Sequence, residues 1–246
     1  MSSEESSTPA SSEVPPQDQR NPSALQPAEH DEAVGVPIER EELAVASDPR
    51  GSVAEQFRAL RNSVSALNRD GGSHTIVMTS AMPGEGKTVA TLNLALALAE
   101  MPGTQVLVID GDLHGPAVES YLDLPRRQGL TEILSGDLTM EQGIRRTAVE
   151  RVSIMGPGVL PANPSEVLGS DRMRALLNEL KQRFTYVLID TPAVTRVSDA
   201  SLLGSKVDGI LLVVRLGETP RHEVEQTYNN LEALGGNILG TCLTGA

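Results

Sequence analysis

The sequence predicts an α/β fold, a doubly wound, mostly parallel sheet flanked by helices on both faces. Three observations carry that reading. Five or six short apolar runs alternate with helical patterns along the chain. Most of these runs are continuously apolar, as strands covered on both faces require. The first run opens into a glycine-rich loop and then a helix, the start of a strand–helix–strand crossover.

Residues 1–50 stand apart from this pattern. Eleven Asp and Glu residues there face three arginines, seven of the sixteen prolines fall there, and no aromatic residue does. Such a segment buries too little apolar surface to offset chain entropy, so it is expected to be a disordered acidic tail. The stretch Ile38–Val45 is the part of it with enough apolar content to order against the body. The folded domain is expected over residues 51–246, long enough for a sizeable core.

The net charge of −13 argues against a nucleic-acid partner held on a broad basic face. A single cysteine, Cys242, excludes an internal disulfide and a cysteine-rich zinc cluster, and fits a reducing cytoplasm. The N-terminus has no basic-then-apolar secretory pattern. The longest apolar stretches of the chain, such as Leu92–Ala99, fall well short of the roughly 20 residues a membrane span needs. The expected location is cytoplasmic, with any place at the membrane supplied by a partner.

The body opens with Val53, Phe57, Leu60, Val64 and Leu67, spaced as the stripe of an amphipathic helix that Asp70-Gly71-Gly72 stops. Strands are expected at His74–Thr79, Gln105–Asp110, Val152–Met155, Thr185–Asp190, Gly209–Val214 and Ile238–Leu243. Helices are expected at Lys87–Glu100, Pro164–Arg183, Asp199–Ser205 and Arg221–Leu234.

The first strand leads into Ala81-Met82-Pro83-Gly84-Glu85-Gly86-Lys87-Thr88, and Val89 begins a helix apolar nearly all round. Strand, glycine-rich loop and helix are the setting of a phosphate-binding loop, and they place the sheet in the P-loop NTPase type. Gly84 and Gly86 let backbone N–H groups converge, and the new helix adds the positive end of its dipole. Lys87 is expected to reach the β- and γ-phosphates of ATP, and the Thr88 hydroxyl to ligate Mg2+. Ala81 replaces the usual first glycine, and the fit of its Cβ turns on the local φ.

Two strands end in carboxylates. Val106–Asp110 continues into Gly111-Asp112, and Tyr186–Asp190 into Thr191-Pro192. The C-terminal edge of a parallel sheet carries its ligand site, so all three aspartates are expected to face the loop. Asp190, with Thr88 and Asp112, is assigned to the metal side. Asp110 or Asp112 is the expected base for an acceptor hydroxyl, and the sequence leaves both open. A capping role is the structural alternative for Asp110 and Asp190.

Together these motifs resemble the bacterial tyrosine kinases of capsule and exopolysaccharide synthesis. SAMPGEGKT, VLVIDGDLHGP and YVLIDTPAV are similar to that family's three phosphate-site motifs, and PANPSEVLGSDRMRALLNELKQRF to the run before the third. Glu55-Gln-Phe-Arg58-Ala-Leu-Arg61 is similar to the family's Glu-x-x-Arg-x-x-Arg motif. The resemblance implies transfer of the ATP γ-phosphate to tyrosine, Mg2+, and catalytic roles for Lys87, Asp110, Asp112 and Asp190. It also implies a ring-like homo-oligomer through Glu55, Arg58 and Arg61, and a transmembrane chain-length regulator as activating partner. On a helix, steps of three turn by about 300°, which keeps those three residues on one flank. An in-chain ion pair is the bland reading of that flank.

Three departures qualify the resemblance. The family's clustered tyrosine acceptors have no counterpart among Tyr121, Tyr186 and Tyr228, so the acceptor is expected on another protein. His114 stands where the family often has arginine, and Thr244 where it usually places an adenine-contacting asparagine. A weakly catalytic ATP-binding assembly factor is therefore the alternative function. The partitioning-type ATPases, a third class, carry a lysine where this chain has Met82.

Overall fold

The computed structural model describes residues 38–68, 72–196 and 199–245. The first 37 residues of the expected tail lie outside the described residues, as do Asp70 and Gly71 of the expected helix stop. The strands are β1 His74–Ser80, β2 Val106–Asp110, β3 Ile144–Arg146, β4 Val152–Met155, β5 Tyr186–Asp190, β6 Gly209–Arg215 and β7 Ile238–Thr244. They form one sheet in the order β3-β4-β2-β5-β1-β6-β7. Every neighbouring pair is parallel except β3 with β4.

Alternate residues of each central strand enter opposite cores. Ile76, Met78, Val106, Val108, Leu188, Leu211 and Val213 face one side. Val77, Leu107, Ile109, Val187, Ile189, Ile210 and Leu212 face the other. Two buried faces at a period of two produce the continuous apolar runs. The first face is covered by α1 Ala44–Ser47, α2 Ser52–Leu67 and α3 Lys87–Ala99, with α4 Val118–Tyr121 beside them. The second is covered by α5 Leu130–Ser135, α6 Met140–Gly143, α7 Pro164–Gly169, α8 Asp171–Leu180, α9 Asp199–Gly204 and α10 Arg221–Ala233.

Packing begins upstream of residue 51, in the stretch whose apolar content allowed it, with Leu43, Ala44 and Val45 buried. Asn93, fully buried on the mostly apolar α3, fixes them by accepting from Val45 N at 3.0 Å and donating to Glu42 O at 2.8 Å. Three details differ from the sequence reading. The α2 stripe is shorter than its spacing implied. Ala54 and Val64 are buried, while Val53 and Leu67 at the helix ends remain exposed. The long helix expected over 164–183 is two helices, because Ser170 leaves helical geometry and its hydroxyl caps α8 by accepting from Met173 N. Strand β3 was not expected: Ile-Arg-Arg has no strand pattern of its own. A tertiary contact helps hold it, the Arg145 Nη1–Glu119 Oε1 ion pair at 2.6 Å, with both side chains almost fully buried.

Candidate active site

The phosphate loop leaves β1 at Ser80 and enters α3 at Lys87. Gly84 and Gly86 adopt φ of +83° and +82°, left-handed values that a side chain would strain. Gly86 is also the N-cap of α3. Ala81 is fully buried, and Asp123 alone among the described non-glycine residues has positive φ, so the methyl group at 81 is accommodated. Met82 and Pro83 are exposed, and Val89 lies half-buried in the first turn of α3.

Glu85 has a role that no local pattern announces. Its carboxylate is buried, accepts from Met82 N at 2.9 Å and takes the Thr219 hydroxyl on its other oxygen. The backbone of the loop is held from β6 and β7. Thr244 Oγ1 donates to Glu85 O at 2.8 Å, and Arg215 Nη1 to Gly84 O at 3.1 Å. The Thr244 hydroxyl is thus committed to the loop itself. On the opposite side, Thr195 Oγ1 donates to Ala81 O at 2.6 Å. A cradle tied at four points is pre-ordered for its anion.

The three aspartates converge on this loop. Strand β5 lies between β1 and β2, and Asp110 and Asp190 are direct partners in the β2–β5 register. The Thr88 hydroxyl donates to Asp190 Oδ2 at 2.6 Å, and Thr91, one turn further on, approaches Asp190 Oδ1 at 3.4 Å. Asp190 therefore belongs to the phosphate loop and does not serve as a helix cap. Burial pushes its carboxyl up to about 7, against the lowering effects of Thr88 and Lys87.

Asp110 is fully buried. Its Oδ2 accepts from Ala117 N at 2.9 Å and Val118 N at 3.0 Å, and its Oδ1 from Asp112 N at 3.2 Å. It caps the start of α4 as the structural alternative required. Burial, and then the charge of Asp190, push its carboxyl up to about 8. Asp112 is half-buried. Its Oδ1 accepts from His114 N at 3.1 Å and Gly115 N at 2.8 Å, while Oδ2 takes no hydrogen bond among the described residues. Gly111 between them allows the two strand ends to close up. It donates to Asp190 O at 2.8 Å, and a Cβ there would meet that oxygen at 2.9 Å.

Oxygen donors from a hydroxyl and carboxylates suit a hard cation such as Mg2+. Among the described residues no group of three or more His, Cys, Asp or Glu side chains is arranged to hold a metal alone. Thr88 and Asp190 alone supply fewer oxygen donors than an octahedral Mg2+ takes.

Glu55, Arg58 and Arg61 share one flank of α2, and the arginines turn inward. Arg58 reaches Glu55 at 2.5 Å, Glu100 at 2.6 Å and Pro49 O at 2.7 Å. Arg61 reaches Glu100 at 2.9 Å and Ala97 O at 3.2 Å. Glu100, which caps the C-terminal end of the phosphate-loop helix, thus holds both arginines, and they clamp α2 to α3. The side chain of Glu55 stays 66% exposed.

Fold and site together define a P-loop nucleotide-binding protein. A family model described as an AAA domain matches residues 73–237. The tyrosine-protein kinase YwqD of Bacillus subtilis is 32% identical over 211 residues, spanning 86% of this chain and 88% of the relative. The kinase domain of the Escherichia coli tyrosine kinase ETK superposes with a TM-score of 0.79 at 33% identity, covering 83% of this chain and 80% of that one. The septum site-determining protein MinD of Pyrococcus horikoshii, complexed with Mg-ADP, is more distant, with a TM-score of 0.59 at 29% identity over 70% of each chain. The chain belongs to the bacterial tyrosine-protein kinases.

Proposed function

We propose that this chain transfers the γ-phosphate of ATP to a tyrosine hydroxyl on another protein, in the control of polysaccharide synthesis or export. The observation that carries the reading is the meeting of Thr88, Asp190, Asp110 and Asp112 at one sheet edge beside the loop lysine. The loop N–H groups and Lys87 hold the phosphates. Thr88, Asp190 and Asp112 would hold Mg2+, which would supply neutralisation of charge on the phosphate oxygens. Asp112 takes the proton of the acceptor hydroxyl as its oxygen bonds to the γ-phosphorus. The bond from that phosphorus to the β–γ bridging oxygen breaks, and ADP leaves with the electron pair.

Purified chain, Mg2+, ATP and a tyrosine peptide are expected to yield phosphotyrosine detectable by mass spectrometry. ATP binding with no phosphotyrosine on the peptide, or on a co-purified membrane partner, supports the assembly-factor alternative and overturns transfer.

Among the described residues no helix is long and apolar enough to cross a membrane. A cytoplasmic chain at the inner membrane face, recruited by a transmembrane chain-length regulator, fits that observation and the family. The α2 flank serves a ring-like homo-oligomer, with Glu55 outermost and the arginines shaping the face behind it. Arg58→Ala combined with Arg61→Ala is expected to reduce the oligomer to monomers in light scattering. A double variant with the wild-type oligomer mass removes the interface role and leaves only the clamp on Glu100.

A further inference from the structure

Asp199 is fully buried, carries a carboxylate and lies outside every motif the sequence displays. It opens α9, nine residues past Asp190, on the segment that leads away from β5. Both of its oxygens are bonded from other segments. His114 Nε2–H donates to Oδ2 at 3.1 Å, and the Ser165 hydroxyl at the start of α7 donates to Oδ1. His114 is two residues past Asp112, and its own backbone N–H donates to Asp112 Oδ1. The buried carboxylate therefore ties the loop bearing Asp112 to the segment that follows Asp190.

Such a tie has a mechanical reason. The segment from Gly111 to Pro116 has no regular structure, and His114 and Gly115 are exposed. Asp110 secures the two ends of that segment through Asp112 N, Ala117 N and Val118 N. Between them, Leu113 is buried in the core and the ring of His114 bonds Asp199, so the segment is held on both its inner and its outer side. Leu113 and the Gly111 N–Asp190 O bond hold the inner side of the segment, and the His114–Asp199 bond holds the exposed side of the turn that carries Asp112. Misplacing a reacting group by about 1 Å costs up to 100-fold in rate.

We propose that Asp199 and His114 form a positioning pair that fixes the Asp112 loop against the phosphate loop for phosphoryl transfer. The pair touches neither phosphate nor acceptor in this role, which rests on the kinase reading above. It acts through the geometry of Asp112, so it affects turnover more than nucleotide affinity.

The test uses the full chain and reads two quantities, hydrogen exchange of the 111–118 amides and the kinetics of phosphotyrosine formation. His114→Ala is expected to speed exchange across that loop and to lower kcat by roughly 10- to 100-fold, with KM for ATP within about twofold. His114→Arg, which can still pair with Asp199, is expected to retain most of the turnover. In an Asp199→Asn background, His114→Ala is expected to cost little more, since members of one contact are not additive. Unchanged loop exchange in His114→Ala overturns the proposal whatever the turnover, and so does an equal loss in His114→Arg. A wild-type chain that makes no phosphotyrosine, but whose loop loosens in His114→Ala and not in His114→Arg, sinks the kinase reading and leaves the positioning intact.

Discussion

Lys87→Ala is expected to remove measurable ATP binding. Lys87 is the first residue of α3, immediately after the left-handed Gly86, so its side chain starts where the loop N–H groups and the helix dipole converge. It is the lysine of the loop, and its charge already lowers the Asp190 carboxyl beside it. Hydrogen bonds to charged groups contribute about 1.5–3 kcal/mol each, and one ammonium spanning two phosphates makes at least two. The dissociation constant is then expected to rise by roughly 100-fold or more. Calorimetry with Mg·ATP checks this, with a thermal melt of the nucleotide-free variant to show that the fold persists. An unchanged affinity sinks the phosphate-loop reading, and every step of the mechanism with it. Arginine is not an equivalent replacement, because its planar fork is larger than the compact ammonium the loop accommodates.

Much of this site was legible because its chemistry follows the chain. SAMPGEGKT is contiguous, and a parallel sheet brings strand ends to one edge, so Asp110 and Asp190 could be placed beside the loop without coordinates. What escaped was set by contacts between distant segments. Glu85 looks like an exposed loop acid, yet it is buried because Thr219 reaches it across 134 residues. Asp199 looks like a helix-start residue, and its meaning depends on where His114 lies. Arg58 and Arg61 show the same limit. Their spacing gave a flank, but not that Glu100 would draw both against α3. The sequence carries one further signal: a helix apolar nearly all round that contains Thr91 and Asn93 needs partners for those side chains. They are Lys87 O and Asp190 for the first, and the segment Glu42–Val45 for the second.

Asp112→Ala and Asp110→Asn are expected to separate the two aspartates that the sequence left as alternatives. Asp110 has no exposure, and both of its oxygens are engaged by backbone N–H groups, so it is poorly placed to receive a proton from an acceptor. Asp112 is half-buried, with one oxygen unengaged among the described residues. Losing a general base costs about 10²–10⁴ in rate, so Asp112→Ala is expected to lower kcat at least 100-fold with little change in melting temperature. Asp110 acts instead on stability. Burial, with the charge of Asp190, pushes its carboxyl up to about 8 in the folded chain, against an ordinary 3.8. A carboxyl raised in this way contributes stability that is complete below about pH 4 and lost as pH rises through about 8. Asp110→Asn removes that titration and the repulsion of Asp190. Its urea midpoint, measured with EDTA from pH 5 to pH 8, is therefore expected to fall less steeply than that of the wild type. Parallel slopes for the two proteins would exclude this role. An Asp112→Ala variant with wild-type turnover would move the base to Asp110, and would require its capped carboxylate to open during catalysis.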